Sequence, residues 1–188
     1  MFQGNKLRTL LEEKDTIFTA GAGDALTAKI IAQTDGFDGI LSSGFAISAH
    51  QLGLPDVEFY TRSDNLYVVR NMTAAVDIPL IADIDTGYGN AVNVIHTINE
   101  FERAGAAGMI MEDQISPKRC PICVDETNTL IPVEEAVGKI RAAVENKLNK
   151  DTVIIARTDA TNREELMKRA KAYREAGADL VQPISRAF

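Results

Sequence analysis

Short apolar runs alternate along the chain with longer stretches in which apolar side chains recur at helical spacing. The short runs have the length of strands and show no polar alternation, which is typical of strands buried on both faces of a sheet. Within residues 90–104, Val94, Ile98 and Phe101 recur at i, i+4 and i+7, the spacing of one helix face. The alternation of strands and helices predicts a parallel sheet with right-handed crossover connections.

The boundaries of the predicted elements are marked by glycines. Gly36, Gly105 and Gly177 each stand between a helical stretch and an apolar run, where a helix C-cap favours a left-handed residue. Strands are predicted near residues 17–20, 38–42, 79–83, 108–112, 153–157 and 179–183. Helices are predicted near residues 24–33, 62–76, 90–104, 133–145 and 163–176. We expect a single domain over residues 1–188.

Two architectures contain strands and helices in this order, an open doubly wound sheet and a closed barrel. The segment Gly21-Ala22-Gly23 after the first strand lacks the third glycine of a dinucleotide-binding turn. A (β/α)₈ barrel needs eight strands in roughly 250 residues, whereas the sixth predicted strand here ends close to residue 188. The pattern therefore leaves either an open sheet or a barrel whose last part is absent.

The composition excludes several classes of protein. The chain is 45% hydrophobic with a net charge of −7, which suits a packed core and excludes intrinsic disorder. An acidic chain does not attract nucleic acids or anionic membranes, so we expect neither as a partner. The apolar runs are far shorter than the roughly 18 residues of a membrane span, and Met1–Leu11 does not follow the pattern of a signal peptide. Two cysteines form no disulfide framework, so we expect a reducing cytoplasm.

Polar side chains gather where the predicted strands end. The groups that follow strands two to five are Ser42-Ser43-Gly44, Asp83, Glu112-Asp113 and Arg157-Thr158-Asp159. A charge in a buried strand is costly unless it is paired or bound to a metal, and α/β enzymes keep their active sites at this end of the sheet. One such aspartate could simply be a helix N-cap, but the same feature on four strands indicates a functional site.

Asp83, Asp85 and Glu112 form an oxygen-rich set without a nearby histidine or cysteine. Residues two apart on an extended backbone project the same way, as Asp83 and Asp85 would. Hard oxygen ligands suit Mg²⁺ or Mn²⁺, and a divalent cation removes the repulsion between crowded carboxylates. Asp56, in the loop after the second strand, could join them. The sequence therefore predicts a Mg²⁺ site, with Mn²⁺ possible.

The polar segment from residue 114 to residue 128 has the length and composition of an active-site loop. The charges of Lys118 and Arg119 beside Cys120 are typical of the surroundings of a reactive cysteine. Three other interpretations of Cys120 and Cys123 stay open: half of a zinc site, a redox pair, or thiols without a role. A zinc site lacks a second pair of ligands, because His50 and His96 are isolated in the sequence.

These segments together resemble the isocitrate lyase/phosphoenolpyruvate mutase superfamily. The resemblance rests on Ser43-Gly44, Ile81–Asn90 (Ile-Ala-Asp-Ile-Asp-Thr-Gly-Tyr-Gly-Asn), Met111–Gln114, Pro117–Cys120 and Ile155–Arg157, in this order. It implies a (β/α)₈ barrel of which about six βα units are present, and hence a C-terminally shortened or incompletely represented chain. It also implies Mg²⁺, a small 2-oxo or 2-hydroxy carboxylate at the barrel mouth, and a homo-oligomer, either a dimer or a tetramer.

The resemblance implies a role for each candidate site residue. Asp83 resembles the residue that binds the metal directly and also contacts the substrate. The auxiliary or water-mediated metal ligands would be Asp85, Asp56 and Glu112. Three further residues resemble those that bind the carboxylate and oxo oxygens of the substrate: Ser43, Gly44 and Phe45. Arg157 resembles the arginine that holds the substrate and its developing negative charge, and Lys118 resembles a loop lysine that covers the site.

Cys120 favours a lyase, because phosphonomutases and phosphonopyruvate hydrolases of the superfamily tend to carry Thr-Asn there. The implied reaction cleaves a C–C bond of a 2-hydroxy di- or tricarboxylate, with Cys120 as the general acid. Methylisocitrate lyases differ at Pro121-Ile122 and at Pro183-Ile184, which makes an alkylmalate or oxaloacetate an equal candidate substrate. The alternatives are a phosphonomutase that uses the same metal site, an inactive structural subunit, and a redox protein.

Overall fold

A computed structural model describes residues 3–120 and 129–183 of the chain. Within them, six strands form one parallel sheet. The strands are β1 (Thr19–Ala22), β2 (Gly39–Ser42), β3 (Leu80–Asp83), β4 (Gly108–Glu112), β5 (Val153–Thr158) and β6 (Leu180–Pro183). Five of them lie where the sequence predicts strands, and β1 begins two residues later than predicted because its Ala22 pairs with Ser42 of β2.

Seven helices accompany the described strands. They are α1 (Gly4–Glu13), α2 (Ala25–Ala32), α3 (Gly44–Leu52), α4 (Arg62–Ala75), α5 (Ala91–Arg103), α6 (Val133–Asn146) and α7 (Arg163–Glu175). The sequence analysis predicts all of them except α1 and α3. The residue before α1, Gln3, provides no side-chain cap, whereas Ser43 caps α3 by accepting a hydrogen bond from the amide of Ala46 over 3.3 Å. Helix α1 therefore carries no clear start signal, and the start signal of α3, Ser43, is interpreted in the sequence only as a polar residue at a strand end.

The order of the strands in the sheet identifies the architecture. The strands are hydrogen-bonded in sequence order from β1 to β6, and every described pair is parallel. A doubly wound sheet would reverse its order at a switch point, whereas a barrel adds each strand beside the previous one. Within the described residues, β1 and β6 each have one neighbour, so the chain forms a curled partial (β/α)₈ barrel of six strands. This confirms the predicted fold class.

Two layers of apolar side chains hold the partial barrel together. The larger layer lies between the sheet and the surrounding helices. It includes Val94, Ile98 and Phe101, the three residues of the predicted helix stripe, all of them fully buried. The smaller layer fills the inner side of the sheet with Ile81, Ile110 and Ile155. Helix α1 adds Leu7 to this inner layer, so the helix plugs the amino end of the barrel. Burial on both faces explains why the strands lack polar alternation.

Among the described residues, no helix has both the length and the apolar character that crossing a bilayer requires.

The plug formed by α1 leads to a test of stability. Leu7→Ala should lower the free energy of unfolding by about 2–5 kcal/mol, because it leaves a cavity beneath the inner apolar layer. Leu26→Ala on α2 is the matched control, since Leu26 is 72% exposed and its truncation should change stability by less than about 0.5 kcal/mol. Urea denaturation monitored by circular dichroism measures both variants. Equal stabilities of the two variants would show that α1 does not support the core.

Candidate active site

A polar layer lies directly above the inner apolar layer, towards the carboxyl ends of the strands. Asp83, Glu112 and Arg157 each follow an inner isoleucine by two residues, and the period of two along a strand places them on the same inner face. Glu112 is paired in register with Arg157, and Arg157 with Gln182 of β6. The alternation of the strands therefore directs these side chains to one mouth of the barrel.

A cavity of about 130 Å³ opens at this mouth. The residues that line it are Leu41, Ser43, Phe45, Asp56, Asp83, Ile110, Gln114, Lys118, Cys120, Arg157 and Gln182. Seven of the ten predicted site residues are among them. The other three, Gly44, Asp85 and Glu112, are buried around the cavity's edge. The structure thus brings the predicted residues to one place without assigning their roles.

We refer to Asp56, Asp83, Asp85 and Glu112 as the acidic rim. Asp85 is fully buried, and its backbone adopts a left-handed φ of 50°, which aspartate tolerates better than most residues. Its carboxylate accepts hydrogen bonds from the hydroxyls of Tyr60 and Tyr88, each over 2.9 Å. Burial raises the pKa of Asp85 to about 6, although the charge of Lys118 opposes this shift.

Asp83 is oriented by two backbone amides. Its Oδ1 accepts a hydrogen bond from the amide of Asp85 over 3.0 Å, and its Oδ2 accepts one from the amide of Gly44 over 3.2 Å. A Cβ atom at position 44 would lie 2.6 Å from the Tyr60 hydroxyl, 3.1 Å from Asp83 Oδ2 and 3.2 Å from Asp85 Oδ1. Glycine is therefore required at position 44 for the start of α3 to approach the acidic rim this closely.

Lys118 reaches into the middle of the acidic rim. Its Nζ atom lies 3.0 Å from Asp56 Oδ2 and 2.5 Å from Asp85 Oδ1, and its side chain is only 2% exposed. Burial alone would lower the pKa of Lys118, but the carboxylates of Asp83, Asp85, Glu112 and Asp56 raise it well above its usual value. The ammonium group is therefore charged and forms ion pairs on both sides.

Arg157 is held between two carboxylates. Its Nε and Nη2 atoms donate to the two oxygens of Asp159 over 3.1 and 3.0 Å, a bidentate arrangement that fixes the guanidinium plane. Its Nη1 lies 2.7 Å from Glu112 Oε2, as an ion pair without an aligned hydrogen bond. Burial raises the pKa of Glu112 to about 8, although Arg157 opposes this shift. The guanidinium group therefore has a fixed place in the cavity wall.

The chemistry of the acidic rim fits a hard divalent cation. Among the described residues, the buried atoms Asp56 Oδ1, Glu112 Oε1 and Glu112 Oε2 accept no hydrogen bond. Unsatisfied buried oxygens of this kind are costly, and metal coordination satisfies them. Within residues 3–120 and 129–183, however, no three Asp, Glu, His or Cys side chains form a ready-made ion cage. The Lys118 ammonium lies between Asp56 and Asp85 instead.

Several residues that contribute to the site are not among the predicted site residues, and three of them show why. Tyr60 donates to Asp85, Asn65 donates to the carbonyl oxygen of Asp83 over 2.8 Å, and Gln182 lines the cavity. Gln182 could have been found, since it stands one residue before the end of the last predicted strand, where the other strands carry polar site residues. Tyr60 and Asn65 lie more than 17 residues before Asp83, and only the fold brings them to it.

The predicted cysteine chemistry is only partly within the described residues. Cys120 is a buried free thiol in the cavity wall, near Lys118 and Gln182. Cys123 lies outside the described residues, as do Pro121, Ile122 and Ile184. The zinc, redox and lyase interpretations of the cysteines therefore stay predictions.

The sequential parallel sheet and the acidic rim at its carboxyl end define a class of protein. It is the class of α/β-barrel proteins whose ligand site is built from the strand ends and the loops that follow them. Within this class, the model of one family, described as phosphoenolpyruvate phosphomutase, matches residues 7–187. The chain belongs to this family, which confirms the resemblance found in the sequence.

Individual relatives carry different chemistries. The chain is 44% identical over 179 residues to the 2,3-dimethylmalate lyase of Eubacterium barkeri, covering 94% of the chain and 61% of the relative. A phosphoenolpyruvate phosphomutase structure from Streptomyces platensis superposes with a TM-score of 0.91 at 40% identity, covering 96% and 63% of the two chains. A structure of phosphonopyruvate hydrolase in complex with oxalate and Mg²⁺ superposes with a TM-score of 0.87 at 40% identity. The match covers 99% of this chain and 64% of the hydrolase chain. The chain thus spans less than two thirds of the length of these relatives.

The close approach at Gly44 leads to a second test. Gly44→Ala should lower the free energy of unfolding by about 1–3 kcal/mol, because the new methyl group displaces Tyr60 or the acidic rim. Gly138→Ala in α6 is the control, since a Cβ atom there meets nothing within 4 Å, and it should stabilise the helix by about 0.5–1 kcal/mol. Denaturant titration of both variants provides the measurement. If Gly44→Ala is as stable as the original chain, the tight contact does not exist.

Proposed function

We propose that the chain forms the active-site part of a Mg²⁺-dependent lyase that cleaves a C–C bond of a small 2-hydroxy carboxylate. The observation that carries this proposal is the shared cavity of Asp83, Arg157 and Cys120, with the remaining acidic rim around its edge. A carboxylate set for a cation, a fixed guanidinium group and a thiol are the groups that such a cleavage needs. The similarity to 2,3-dimethylmalate lyase supports an alkylmalate as the substrate.

Substrate binding would rest on fixed groups in the cavity wall. The guanidinium group of Arg157, held by Asp159, would bind a carboxylate of the substrate. Ser43 and Phe45 line the same cavity next to Gly44, where a second carboxylate or the 2-oxygen would lie. Asp83 would be the direct metal ligand, and the auxiliary ligands would be Asp85, Asp56 and Glu112. A bound Mg²⁺ would polarise the 2-oxygen of the substrate.

In the proposed reaction, the bond between C2 and C3 of the substrate breaks as the 2-hydroxyl becomes a carbonyl. The hydroxyl proton passes to the acidic rim, and the electron pair of the broken bond stays on the leaving fragment as an enolate-like carboxylate. Arg157 would neutralise the charge that develops. Cys120, whose thiol lines the cavity, would donate its proton to the carbon of that fragment. Lys118 would add positive charge beside the substrate.

Phosphonate chemistry at the same metal site is the second candidate function. It is favoured by the similarity to phosphoenolpyruvate phosphomutase and to phosphonopyruvate hydrolase. In that case the acidic rim and Arg157 would hold a phosphonate substrate, and Cys120 would have no role as an acid.

The metal assignment can be tested by calorimetry. Asp83→Ala should weaken Mg²⁺ binding by roughly tenfold or more, because a direct carboxylate ligand is lost. Asp38→Ala is the matched control, since Asp38 pairs with Lys14 away from the cavity, and it should leave the affinity unchanged. Unchanged affinity in Asp83→Ala would remove Asp83 from the metal site.

The substrate class can be tested with a panel of 2,3-dimethylmalate, methylisocitrate, oxaloacetate and phosphonopyruvate, followed by proton and phosphorus NMR. We expect C–C cleavage of a hydroxy acid in the presence of Mg²⁺ and no release of phosphate. Cys120→Ser should abolish this cleavage and leave Mg²⁺ binding intact, whereas Cys123→Ser controls for the loss of a thiol. Full turnover by Cys120→Ser would disprove the general-acid role, and phosphate release would favour the second candidate function.

A further inference from the structure

The ammonium group of Lys118 lies between the carboxylates of the acidic rim, where a positive charge offsets their mutual repulsion. Its ammonium group contacts Asp56 and Asp85 directly, and the charges of Asp83 and Glu112 also act on it. The side chain is among the largest that are fully buried. A buried lysine is rare unless it is paired, so its position must be stabilised by these carboxylates.

The same carboxylates are the proposed ligands of the divalent ion. A carboxylate oxygen that pairs with the Lys118 ammonium at 2.5–3.0 Å cannot also accept a metal ion from the same direction. Asp85 has little room to adapt, because Tyr60 and Tyr88 already donate to its two oxygens. A divalent ion that is drawn to Asp56 and Asp85 therefore competes with the Lys118 ammonium for these oxygens, and the two positive charges repel each other.

We propose that Lys118 is a displaceable counter-ion: its ammonium group neutralises the acidic rim in the metal-free protein and is expelled when a divalent cation binds. The proposal rests on the proposed function only in assigning the acidic rim to a divalent ion. Lys118 also lines the cavity, so an expelled ammonium group would remain beside it and become available to an anionic substrate. Binding of the metal would then prepare the binding of the carboxylate.

Calorimetric titration of Mg²⁺ into Lys118→Met tests the competition. With the competing ammonium group removed, the variant should bind Mg²⁺ at least tenfold more tightly than the original chain. Lys171→Met on α7 is the control for a lost positive charge, since the Lys171 side chain is 80% exposed, and its affinity should be unchanged. Equal or weaker binding by Lys118→Met would overturn the proposal.

A second measurement uses the unaltered chain and does not depend on the folding of a variant. Lysine amines are labelled with acetic anhydride, with and without saturating Mg²⁺, and the sites are quantified by mass spectrometry. Lys118 should be labelled at least tenfold faster with Mg²⁺, whereas Lys171 should be labelled at the same rate in both. An unchanged rate at Lys118 under saturating Mg²⁺ would overturn the displacement.

The two proposals fail in different ways. If neither the original chain nor Lys118→Met binds Mg²⁺, the metal site itself is wrong, and the counter-ion role is overturned with it. If both bind Mg²⁺ with the same affinity, the metal site stands and only the counter-ion role of Lys118 is overturned.

Discussion

The electrostatic balance of the acidic rim is the constraint on which the rest of the site depends. Four carboxylates from the ends of β3 and β4 and from the neighbouring loops are brought to one mouth of the barrel, where they repel one another. Lys118 and Arg157 offset part of this repulsion, and three buried oxygens of Asp56 and Glu112 still accept no hydrogen bond. Such a site favours any cation that can reach it, which is the physical basis of both the proposed metal site and the counter-ion role of Lys118.

The apolar layer beneath the acidic rim strengthens the electrostatic interactions among these charges. The inner isoleucines and Leu7 of α1 exclude water from the amino end of the barrel, so charges just above them interact more strongly than in solvent. The close approach of α3 at Gly44 closes the rim from the side. The burial that raises the pKa of Glu112 to about 8 is thus a consequence of packing as well as of charge.

Relatives with similar sequences and folds are named for different reactions. The chain is similar both to a 2,3-dimethylmalate lyase and to a phosphonopyruvate hydrolase, and the requirement to bind a small anion is common to the two. Cys120 and Gln182 border the cavity without belonging to the rim, so a bound substrate would contact them. The chemistry would then depend on a few side chains beside the acidic rim.

The sequence by itself determined the parallel strands, five of the helices and the polar residues at the strand ends, because periodicity and the cost of buried charge are local properties. It did not determine α1, which has no capping side chain, or α3, whose capping residue Ser43 is equally typical of a ligand site at a strand end. It also allowed two architectures until the resemblance favoured the barrel. Only the tertiary structure showed that Tyr60 and Asn65 support the rim and that Lys118 lies at its centre. These contacts join residues that are far apart in the chain, and local sequence patterns do not indicate which distant residues come together in space.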